Sequence, residues 1–182
     1  CMFLGISTFA QETEKHPSII SEPEIVQFVE RYPTLQTAIH GKYGYTRYND
    51  KVREVILDEG DLDRTLFSMN YTKQKFLDQV THIRYAFSAL LELEKIEEVQ
   101  KECLKNIEKI KANKKFSDEE KAALIAQQQE VLDNLKPTLV NCSEDDIKLV
   151  RKYRNDLRAL IDAHEFVKPA APKISKAKKA KD

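Results

Sequence analysis

The 182 residues contain no tryptophan and only four glycines, and neither sign of charge predominates, with 30 Lys and Arg against 30 Asp and Glu. So little glycine in a chain that is 33% charged argues against sandwiches, barrels and glycine-rich phosphate loops. The balanced charge gives no overall pull towards nucleic acid or acidic substrates. No run approaches the roughly 18 apolar residues that a membrane span needs. The motifs that announce chemistry are also missing: there is no HExxH, no GxSxG and no phosphate-binding loop. CxxC and CxxCH are absent too. The four histidines (His16, His40, His82, His164) share no ligand spacing. Asp78 and His82, at i and i+4, supply two groups where a metal wants three or four. No catalytic, cofactor-binding or metal-binding residue is therefore expected.

The opening Cys1–Ala10 is apolar and uncharged, then turns polar at Gln11-Glu12. Thr8-Phe9-Ala10 is a small-x-small triplet of the kind signal peptidase cuts. Residues 1–10 thus read as the remnant of a signal peptide and 11–20 as a leader without structure. The expected localisation is periplasmic or secreted. Export leaves Cys103 and Cys142 as an even pair in an oxidising space. Antiparallel packing sets them about ten residues out of level, roughly 15 Å at helical rise. Whether they bridge stays open at this point, the alternative being a small core residue and a quiet thiol.

Residues 21–166 read as one all-α domain. Ser21-Glu22-Pro23-Glu24 is a capping box with proline in the first turn. Pro33 lacks an N–H and is expected to end or kink that helix. A second short stretch then runs to Gly41, a third is stopped by Gly60, and Asp61 caps a fourth. Thr72 opens the dominant element, free of Gly and Pro to about Ala112. Its apolar positions recur every three or four residues from Phe76 to Ile110, on a helix about 60 Å long. Ser117-Asp118-Glu119-Glu120 starts an antiparallel partner that ends at Pro137. Ser143-Glu144-Asp145-Asp146 opens a last helix whose inner face carries Ile147, Val150, Tyr153, Leu157, Leu160 and Ile161. The architecture expected is short N-terminal helices packed on a long helical hairpin plus a third C-terminal helix.

Two segments invite binding. Residues 167–182 hold six lysines (Lys168, Lys173, Lys176, Lys178, Lys179, Lys181) and one acid, and read as a disordered basic tail able to contact an anionic partner. By subtraction the remainder carries −5, an acidic body. His40–Lys51 interleaves Tyr43, Tyr45, Arg47 and Tyr48 with bases and glycines. That mixture suits either a small recognition surface or a packed corner whose hydroxyls stay wet. Arg151, Arg154 and Arg158 read as a solvated stripe. Asn70-Tyr71-Thr72 and Asn141-Cys142-Ser143 match the glycosylation sequon.

From about Phe76 to Ile161 the layout resembles that of small secreted or periplasmic all-helical proteins of Gram-negative bacteria. The likeness rests on the lysine-rich turn into Phe116-Ser117-Asp118-Glu119-Glu120-Lys121 and on Asp145–Leu157. It implies a periplasmic helical module and carries over no catalytic residue. Periplasmic helical chaperones are the nearest functional analogy, although their LTxxQ signature is absent here. The function expected is an exported, non-catalytic interaction or chaperone-like protein of the cell envelope, its partner a protein or an anionic envelope component. The alternatives are a nucleic-acid binder using the tail with Lys42, Arg47 and Lys51, and a small helical enzyme.

Overall fold

In the computed structural model, which describes residues 18–137 and 142–163, seven helices are present and no named strands. Residues 1–10, read above as a signal remnant, most of the segment read as a leader, residues 167–182 with their six lysines, and Asn141 lie outside the described residues. The helices are α1 (Glu22–Tyr43), α2 (Asp50–Asp58), α3 (Asp61–Ser68), α4 (Lys73–Ala112), α5 (Asp118–Asn134), α6 (Glu144–Lys152) and α7 (Arg154–Leu160).

The helix starts follow from local chemistry. Both arms of the capping box are made at Ser117 with Glu120, and at Ser21 the Glu24 carboxylate accepts from the Ser21 N–H and hydroxyl. Thr72 accepts from the Lys75 N–H, and Ser143 from the Asp146 N–H. Each bond satisfies one of the donors a helix leaves free at its start. At α3 the cap is Gly60, with no side-chain bond, and Asp61 is already the first helical residue.

Two expectations about breaks are corrected. Pro33 neither ends nor splits the first helix; α1 runs through it for 22 residues. Ile25, Phe28, Tyr32, Leu35 and Ile39 form one buried face across the proline. A buried side chain of this size contributes about 1.5–3 kcal/mol, so several together outweigh an internal proline's cost of roughly 3 kcal/mol. The N-terminal third is therefore one long helix and two short ones. The last helix, by contrast, is two. Tyr153 leaves helical geometry (φ −103°, ψ 17°), and α7 follows it packed against α1. Leu157 and Leu160 of α7 belong to the main core.

The main core gathers α1, α2, α3, α6, α7 and the first half of α4. Its centre is aromatic: Phe28 stacks on Tyr32 at 5.1 Å, and Tyr71 meets Phe76 edge-on at 5.4 Å. Beyond Leu90, α4 leaves this core and its buried residues Ile96, Val99, Cys103, Ile107 and Ile110 belong to the region where α5 packs.

The folded body also takes in Ser18–Ile20, which the sequence places in the leader. Asp146 holds them: its carboxylate accepts from the Ser18 hydroxyl at 2.7 Å, the Ile20 N–H at 3.1 Å and the Ile19 N–H at 3.3 Å. Ile20 is buried in the core.

Candidate functional site

The α4–α5 hairpin is thinly covered. The Asn106 side chain donates to Gln128 at 3.4 Å across the hairpin, which in an antiparallel pair sets Leu104 level with Glu130. Of the 17 residues of α5 only Leu124 and Gln128 are buried. Ile125, Val131 and Leu132, and Leu135 just beyond the helix, stay half-exposed, and Leu104 on α4 is 55% exposed. A helix seated in a closed core would bury such a stripe; here these apolar side chains stay partly exposed along the arm.

The tyrosine corner is divided between core and surface. Tyr48 is corrected from recognition surface to core: it is 1% exposed and meets Tyr32 and Phe76 edge-on at 6.2 and 6.3 Å. Its backbone explains why. The Tyr48 N–H donates to Leu160 O at 2.8 Å, and the Asp162 N–H to Tyr48 O at 2.9 Å, an isolated parallel bridge with Ile161. Burial pushes the Tyr48 hydroxyl up to about 12. That pairing joins distant stretches of chain and leaves no local mark in the sequence.

Tyr43 and Tyr45 are half-buried, while Arg47 is exposed. Gly44, at φ 77°, closes α1 in the left-handed conformation that favours glycine. Lys42 pairs with Glu59 at 2.9 Å, and this bond holds the Glu59 carboxyl below its ordinary range. Tyr45, Lys51, Glu54, Val55, Asp58 and Glu59 line an open groove of about 350 Å³ beside α2.

Other candidates resolve as follows. Cys103 and Cys142 are both free thiols, the first buried within α4 and the second half-buried before α6. Burial, then the Asp146 charge, pushes the Cys142 thiol up to about 11. Arg154 is no solvated stripe residue: it grips Glu94 through two nitrogens, Nε at 2.9 Å and Nη2 at 2.8 Å, tying α7 to α4. Arg151 and Arg158 are exposed. Asp78 accepts from Gln74 at 2.7 Å, and both Asp78 and His82 are exposed. Asn70 is exposed at φ 59°, whereas Tyr71 of the same sequon is buried. Among the described residues no three His, Cys, Asp or Glu side chains are grouped to hold a metal, and no helix is long and apolar enough to cross a membrane.

These features define an all-α helical protein with an extended hairpin. Comparison with protein-family models, with curated proteins and with solved structures finds no match to this chain.

Proposed function

We propose that this is an exported protein of the cell envelope that acts by binding rather than catalysis, in a chaperone-like manner. The observation that carries the reading is the apolar edge of the hairpin, where Leu104 and the half-exposed Val131, Leu132 and Leu135 lie along an arm outside the main core. Such an edge suits apolar segments of a client chain, and the lysines of residues 167–182 add attraction for an anionic protein or envelope component. The export reading rests on Thr8-Phe9-Ala10. A nucleic-acid role draws less support, because Lys42 is committed to Glu59 and acids crowd Lys51.

The test is binding of a fluorescently labelled, unfolded client by anisotropy. The L104E/L132E variant is expected to lose at least about tenfold in affinity, the equivalent of 1.4 kcal/mol, with helicity unchanged. Deleting residues 167–182 is expected to reduce the salt dependence of binding to an anionic client. Wild-type affinity in L104E/L132E would remove the hairpin edge from the mechanism.

A further inference from the structure

We propose that the lysine-rich segment 167–182 docks in cis in the groove beside α2. The inference does not depend on the client-binding role, since the groove lies on the main body and not on the hairpin.

The first argument is where the chain leaves the described body. The bridge between Tyr48 and Ile161 pins the last residues to the stretch between Tyr45 and Lys51, both of which line the groove. Arg84 fastens the same point: its Nε donates to Asp162 O at 3.1 Å while Nη1 meets Asp50 at 2.5 Å, at the start of α2. The chain beyond Ala163 therefore sets out from the N-terminal end of α2. Five Cα-to-Cα steps separate Ala163 from Lys168, a reach of up to about 17 Å. The nine residues of α2 span about 14 Å. Lys168 and Lys173 can both lie along that helix.

The second argument is chemical. The groove sets three carboxylates, Glu54, Asp58 and Glu59, against the single base Lys51. Glu59 is engaged by Lys42, but Glu54 and Asp58 make no ion pair among the described residues. Between them Tyr45 and Val55 offer half-buried apolar surface. The segment presents the complement: Phe166 and Val167 precede Lys168, and Pro169 and Pro172 favour the extended form that lies along a shallow groove. Tethering supplies the rest. A short flexible linker gives an effective concentration of roughly millimolar, so a site too weak for a free peptide is filled by the attached one.

Backbone ¹⁵N relaxation of the full chain tests this. Docking predicts that the amides of Lys168 to Ile174 show restricted motion at about 50 mM salt. They should regain free-chain motion at about 1 M salt, where the Debye length falls to about 3 Å. The E54K/D58K variant should show the free-chain values already at low salt, with the Tyr48 and Val150 amides reporting an intact body. The salt titration of the wild type decides the matter even if that variant folds poorly. Free-chain motion at low salt in the wild type, or restricted motion indifferent to both salt and charge reversal, would overturn the proposal. Restriction that vanishes on dilution by about tenfold would also overturn it, by placing the segment on a second copy.

Discussion

The carboxylate of Asp146 accepts the backbone N–H of Ile20 at 3.1 Å, joining positions 126 residues apart. The same side chain takes the Ser18 hydroxyl, so the N-terminal end of the described body is fastened to the start of α6 through one residue. Burial alone would raise this carboxyl. The bonds from Ser18 and Ser143, and from the Ile20 and Ile19 backbone, outweigh it, and the net shift is downward from 3.8.

A depressed carboxyl contributes stability that is present above its unfolded pKa and lost as pH falls through the folded value. The D146N variant is expected to lose about 1–3 kcal/mol at pH 7. Urea denaturation compared at pH 7 and pH 3 checks the sign: the gap between wild type and D146N should narrow at the lower pH.

Pro33 is exposed inside α1, where the helix forgoes one backbone bond. P33A restores the donor and a good helix former, and should raise stability by about 1–3 kcal/mol. Thermal unfolding followed by circular dichroism reads this as a higher midpoint.

Tyr48 distinguishes a packed corner from a recognition surface. Y48A should cost about 3–5 kcal/mol, in the range of buried aromatic truncations. R47A, on an exposed neighbour, should stay within about 0.5 kcal/mol of wild type. Chemical denaturation of the two variants side by side gives the contrast.

The Cys142 thiol, held at about 11 against an ordinary 9.0, exposes about a hundredfold less thiolate at pH 8 than a free cysteine. Alkylation of the native protein should therefore be slow at Cys142, and at Cys103, which burial also pushes up, and rapid at both after denaturation. Resistance that persists in denaturant and disappears only with reductant would show a disulfide instead.

What was legible in the sequence was local. Ser21 with Glu24, Thr72, Ser117 with Glu120, and Ser143 each carry their helix start within four residues, and each is found where the pattern sets it. The uninterrupted α4 was equally readable, because forty residues without Gly or Pro leave its spacing undisturbed. What was not legible depends on distant partners. Pro33 stays helical because of what its neighbours bury, and Tyr153 breaks the last helix where its hydroxyl reaches Glu22 at 2.9 Å and the next residue reaches Glu94. The bases and glycines around Tyr48 leave surface and packed corner both open, and the pairing that decides for the core is with Ile161, more than a hundred residues away. The groove beside α2 went unread for a similar reason: Tyr45 and Glu59 lie on opposite sides of α2 in sequence and meet only in the folded body.

The most direct test of the binding account is site-specific photo-crosslinking to an unfolded client. A photoreactive residue is placed in turn at Leu104, Leu132 and Phe67, the last being 81% exposed on α3, away from the hairpin. The account predicts crosslinked client at Leu104 and Leu132 and little at Phe67. Equal yields at all three positions, or a yield at Phe67 alone, would contradict it and leave the hairpin edge without a role in binding.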